Sequence, residues 1–228
     1  MTENDEYRQT KYRGREESLN LGLNKTGAYT FVKAPRFKNQ PMEVGPLARM
    51  MVTLKRPSHP AYNHQAVQAF RHYMNHIKAG AVARHLARAL ETQVLCDAMV
   101  RWLDELEGLI QSDPYAIIHD TAHWTPPATG RGYGMIEAPR GALGHWIRIA
   151  DYKIDRYACV VPTTWNSSPI DSSGVQGPYE KALMGCPVPD INNPIHIGRV
   201  IRSFDPCLAC AVHILTPNGP VRKFIVNG

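Results

Sequence analysis

Residues 205–213 read Asp-Pro-Cys-Leu-Ala-Cys-Ala-Val-His, and the rest of the chain takes its meaning from how this stretch folds. Asp205 suits the cap of a helix N-terminus and Pro206 the first helical position, so the stretch predicts a helix starting here. On such a helix Cys207 and Cys210 share one face, with His213 one further turn along. Two thiolates at that spacing grip one soft transition metal or bridge two. The positive end of the helix also favours the ionised thiol, the form that ligates metal. The spacing equally suits a buried cysteine pair without metal, or half of a zinc site that His213 and Cys186 would complete in a zinc-stabilised structural or binding module. Flanking sequence has to decide.

Working back from this stretch, Ile195 to Phe204 reads as a helix leading straight to Asp205, and Tyr179 to Met184 as a shorter one. His145–Ala150 and Lys153–Pro162 alternate like two strands turning at Asp151-Tyr152. The run Gly-Arg-Gly-Tyr-Gly from Gly130 lacks the Gly-Lys-Ser/Thr end of a phosphate loop and the context of a dinucleotide site. Asp113 to Ala128 is loop-like. Gln65 to Ser112 predicts two helices broken near Gly80. In the second, Val82, Leu86, Leu90, Leu95, Met99, Leu103 and Leu106 form an apolar stripe, with Cys96 beside it as a core residue. Arg84, Arg88, Glu91, Asp104 and Glu107 fall off that stripe. His64, His72, His76 and His85 precede or join these helices without the spacing of a catalytic pair. A further helix starts near Pro46, and Tyr29 to Val32 reads as a short strand.

The chain has 228 residues, 43% of them hydrophobic and 20% charged, enough for one large domain or two small ones. The net charge of +6 comes from scattered Lys and Arg with no aromatic interleaving, which argues against nucleic acid as a partner. Five cysteines in a chain this long do not make a disulfide framework. No apolar leader opens the sequence and no apolar run is long enough to span a bilayer. Residues 1–28 are polar and charged and read as a flexible arm.

Four segments, in order, carry a family resemblance. They are Lys33-Ala-Pro-Arg-Phe with Met42-Glu-Val-Gly-Pro-Leu-Ala-Arg; Glu137-Ala-Pro-Arg-Gly-Ala-Leu-Gly-His-Trp; Val160-Val-Pro-Thr-Thr-Trp-Asn; and Arg202-Ser-Phe-Asp-Pro-Cys-Leu-Ala-Cys-Ala-Val-His. Together these resemble the C-terminal half of the large, catalytic subunit of nickel–iron hydrogenases, from about Tyr29 to His213. Read alone, Pro139 and Pro162 are loop stiffeners and Arg140 one half of an ion pair. The resemblance implies an α+β, mainly helical fold, with long bundle helices and small antiparallel strand elements around a buried metal site. It implies that Cys207 is a terminal nickel ligand and Cys210 a bridge between nickel and iron. It places His213 and the backbone carbonyl of Cys159 on a magnesium ion. Arg140 would stand over the open side of the metal pair and hold the carboxylate of Asp205. Pro139, Leu143, Val161 and Pro162 would wall the carbon monoxide and cyanide ligands of iron, with Thr163 donating to a cyanide.

The implied reaction is heterolytic cleavage or formation of hydrogen, H2 = 2H+ + 2e−, with electrons passing to an iron–sulfur small subunit. Two more thiolates belong to an Arg-x-Cys-x-x-Cys motif that this sequence does not contain. The resemblance therefore implies a separate N-terminal half as partner, or an inactive fragment. It further implies an endopeptidase that cuts after His213, making residues 214–228 a maturation extension. A membrane-associated or periplasmic setting would be reached through the small subunit, and the setting would otherwise be cytoplasmic.

Overall fold

Proline lacks the N–H that would be unsatisfied at a helix start, so Pro46 opens α1 (Pro46–Leu54) at no cost. In the computed structural model the described residues are 30, 32–113, 115, 125–191, 193–207, 210–216 and 219–226, with side chains described up to residue 207. Helix α2 (Gln65–Met74) is capped by His64, whose Nδ1 accepts from the Ala66 N–H at 3.1 Å, leaving Nε2 to donate to Asp97 Oδ2 at 2.9 Å. Gly80 separates it from α3 (Ala81–Ser112), as its place in the sequence led us to expect. Leu47 and Met50 of α1, Val67 and Phe70 of α2, and Ala83 and Ala87 of α3 meet in one core cluster. The two alanines leave room for the larger side chains of the neighbouring helices.

The stripe expected on α3 is not its buried face. Val82 is 71% exposed and Leu103 62% exposed, and Leu95, Met99 and Leu106 are also open. Only Leu86 and Leu90, with Val94, pack against the core. Cys96, expected in the core, is exposed. The face turned to the rest of the chain instead carries Arg84, at 8% exposure. Its guanidinium grips Glu43 at 2.7 and 2.9 Å, donates to Ser203 Oγ at 3.3 Å and stacks 3.6 Å from the Phe204 ring centroid. A cation is stable there because acceptors and a π-face replace its water.

Strands β1 (Thr129–Ala138), β2 (Gly141–Ala150) and β3 (Lys153–Val160) form an antiparallel sheet in chain order. The β2–β3 turn falls at Asp151 and Tyr152, both with positive φ (50° and 61°), which matches the right-handed strand twist. Strand β1, built on the glycine-rich run, was not anticipated; expected strand residues 30 and 32 lie outside any strand, and Tyr29 and Phe31 lie outside the described residues. Gly141, at φ 137°, closes the β1–β2 turn, and a Cβ there would stand 2.5 Å from Val44 Cγ2 and 2.8 Å from the Gly45 nitrogen. Gly141→Ala is therefore expected to destabilise the chain by about 2–4 kcal/mol, from forbidden φ plus overlap with backbone. A urea midpoint shift will measure it. Asn166 buttresses the same segment, accepting from the Val44 N–H and donating to the Val44 carbonyl, both at 2.9 Å.

Three short helices follow: α4 (Pro162–Asn166), α5 (Pro178–Leu183) and α6 (Ile195–Ser203). The chain is thus α+β. The helix expected from Asp205 does not form. Asp205 has φ 55° and donates its N–H to the Arg202 carbonyl at 2.9 Å, so it ends α6 in the left-handed conformation. Beyond it, β4 (Cys210–Thr216) pairs antiparallel with β5 (Gly219–Val226), with Cys210 opposite Val226 and His213 opposite Lys223. The β-branched Val212, Ile214 and Thr216 favour that extended form over a helix.

Candidate metal centre

Two turns and one helix end converge where the sequence placed its site. The β1–β2 hairpin carries Pro139 and Arg140 at its tip, because Ala138 and Gly141 are the last paired residues. The end of α6 carries Asp205, and Arg140 Nε stands 3.3 Å from Asp205 Oδ2. The expected ion pair is present. From α3, Arg88 Nε approaches the same oxygen at 3.9 Å, and Arg88 Nη2 donates to the Ser203 carbonyl at 3.0 Å. Asp205 thus lies between two cations.

The β3–α4 junction supplies Val161, then Pro162 and Thr163 at the start of α4. Pro162 is buried, whereas Val161 and Leu143 are half-buried and Pro139 is exposed. Thr163 Oγ1 accepts from the Cys207 N–H at 3.0 Å, which ties the cysteine segment to α4. A hydroxyl that accepts keeps its own hydrogen free to donate elsewhere. Cys207 itself is a free, exposed thiol. Cys159 sits in β3 opposite His145 and is likewise exposed. It lies near Lys33, whose ammonium is pushed below its usual range by burial, with the nearby cysteine opposing that push. Cys210 and His213 are backbone positions on β4, and their side chains lie outside the described residues.

Donor chemistry tests the fit to a nickel–iron centre. Cys207 and Cys210 are soft donors, and Arg140 Nε is buried without a hydrogen bond although Asp205 is close. Among the described residues, no three of His, Cys, Asp and Glu group closely enough to hold a metal ion. The residues present fit one half of such a ligand set.

Residues 2–213 match the family described as nickel-dependent hydrogenase. The chain belongs to that family. It is 43% identical over 204 residues to the periplasmic NiFeSe hydrogenase large subunit of Desulfomicrobium baculatum, across 86% of this chain and 38% of that protein. It is 41% identical over 203 residues to the hydrogenase-1 large chain of Escherichia coli, covering 34% of it. Among solved structures, a variant NiFeSe hydrogenase from Desulfovibrio vulgaris Hildenborough superposes with a TM-score of 0.65 at 39% identity, over 81% of this chain and 38% of that one. The chain therefore corresponds to a C-terminal portion of the family's large subunits, spanning little more than a third of their length. No helix among its described residues is long and apolar enough to cross a membrane.

Several contributors were not singled out in the sequence. Arg49 of α1 and Arg84 and Arg88 of α3 bind the site segments, and Glu91 of α3 holds Arg49. Arg49 belongs to a quoted motif, which was a usable signal. In sequence the α3 charges read only as falling off the apolar stripe.

Proposed function

We propose that this chain is the C-terminal portion of a hydrogenase catalytic subunit and takes part in H2 = 2H+ + 2e−. The observation that carries the reading is the Arg140–Asp205 pair at 3.3 Å, with Asp205 two residues before Cys207, whose backbone N–H is tethered to Thr163 Oγ1. Cys207 and Cys210 would hold nickel and, through Cys210, iron; His213 and the Cys159 carbonyl would hold magnesium. When bound, a nickel–iron centre with carbon monoxide and cyanide on iron supplies Lewis-acid and redox chemistry for heterolytic hydrogen cleavage. Arg140 would present a fixed cation to that centre, with Asp205 keeping the guanidinium oriented. Thr163 offers its free hydroxyl hydrogen, within walls formed by Pro139, Leu143, Val161 and Pro162.

The other two thiolates are not among these residues. The open apolar half of α3, with Trp102 55% exposed, supports an N-terminal half packing there. Electrons would leave to an iron–sulfur small subunit, which would also set the compartment. The family match ends at residue 213, inside β4, and residues 210–213 pair with residues 223–226. The end of that match supports residues 214–228 as a maturation extension, and a cut after His213 would leave residues 210–213 without their partner strand. The test is hydrogen-driven dye reduction by the chain co-produced with an N-terminal half and a small subunit. Turnover that requires all three components and the cut after His213 is expected. A nickel-loaded, cut assembly that reduces no dye overturns the reading.

A further inference from the structure

We propose that Arg49 is a positioning residue that fixes the turn carrying Arg140. Helix α1 brings its guanidinium under the β1–β2 hairpin, where Nη1 donates to the Ala138 carbonyl at 2.9 Å and Nη2 to the Pro139 carbonyl at 2.8 Å. Nη1 also pairs with Glu137 at 3.1 Å. These are the residues immediately before Arg140. The other edge of the guanidinium is held by Glu91 of α3, through Nε at 2.7 Å and Nη2 at 2.6 Å.

A guanidinium is a rigid planar fork, so fixing one edge on a carboxylate fixes where the other edge presents its donors. Glu91 has a side chain only 15% exposed and sits on the core helix, so it is a firm anchor. Burial works against the Arg49 charge, yet the bonds and attraction of Glu91 and Glu137 hold it above its usual range. The Arg140 carbonyl also lies 3.0 Å from where a Cβ on Gly45, the cap of α1, would stand, so the start of the helix that carries Arg49 lies close against the turn. A simple stitch between α1 and α3 needs only the Glu91 contact. The bonds to Glu137, Ala138 and Pro139 have no part in such a stitch, and they bear on the residue that approaches Asp205.

This inference rests on the proposed role of Arg140, but its first test does not need metal. Amide exchange is followed in the full chain as Arg49→Lys and Arg49→Gln variants, comparing residues 138–144 with α1 and α3. Loss of the forked, charge-assisted bonds is expected to speed exchange at the turn about tenfold, with the helices of at least one variant close to the unsubstituted rate. If in both variants the turn quickens no more than the helices do, Arg49 is only a structural stitch and the proposal falls. In the assembled enzyme, Arg49→Lys is expected to lower kcat about tenfold with KM for hydrogen unchanged; an unchanged kcat also overturns it. An unsubstituted assembly without turnover counts against the hydrogenase reading alone, and the exchange result then decides for Arg49.

Discussion

In the assembly proposed above, Arg140→Lys is expected to lower hydrogen turnover by about a hundredfold or more, with nickel content and melting temperature close to those of the unsubstituted protein. The size follows from what the guanidinium does. It is a planar cation whose Nε faces Asp205 at 3.3 Å, on a hairpin tip whose backbone is held by Arg49. Lysine keeps the charge but is a point donor on a flexible stem, so the aim is lost and the field only displaced. Folding is spared because the Arg140 side chain is 41% exposed and a partly solvated ion pair contributes little to stability. Steady-state assays beside metal analysis on the same preparation check both halves. A loss of nickel in step with activity would instead give Arg140 a role in holding the centre together.

Arg84→Ala acts on the fold and destabilises the chain by about 3–5 kcal/mol, because it strands a partly buried partner charge. Arg84 bonds Glu43 in front of α1 and Ser203 at the end of α6, and stacks on Phe204. Without it, the Glu43 carboxylate and the α6 end that leads to Asp205 lose their common anchor. The paired change Arg84→Met with Glu43→Gln is expected to cost less than Arg84→Ala alone, since it removes both charges together. Denaturant midpoints of the three proteins measure the coupling. A single-variant cost no larger than that of an exposed pair would contradict this account of α3.

Local signals were read well where the chemistry is local. Pro46 marks a helix start, Gly80 a break and Asp151-Tyr152 a hairpin turn, and each does so in the structure. Asp205-Pro206 misled because aspartate serves two geometries. It caps a following helix in the extended region, and it tolerates the left-handed one that ends a preceding helix. Here the second won, with φ at 55°. The strand after it depends on residues 219–226, a pairing that periodicity within residues 205–213 cannot reveal.

The apolar stripe of α3 was a true pattern with the wrong referent. Ala83 and Ala87 form the face used within this chain, and the large side chains from Leu95 onward remain open. The Arg140–Asp205 approach was expected from the motifs, and the fold shows it at 3.3 Å; the ligand roles of Cys207, Cys210, His213 and Cys159 belong to the proposal. Arg49 and Arg88 escaped because a charge on a helix is ordinarily read as solvated. Only the fold shows that Arg88 reaches the Ser203 carbonyl and Arg49 the hairpin tip.

Metal content of the complete assembly tests the central claim most directly. The chain is co-produced with an N-terminal half bearing the other two thiolates and with the maturation proteins, then purified and analysed for nickel, iron and zinc. A hydrogenase large subunit predicts nickel and iron in equal amounts at the catalytic site, after allowance for small-subunit iron, and loss of nickel in Cys207→Ser. Zinc alone, held by Cys207 and Cys210, would contradict the account.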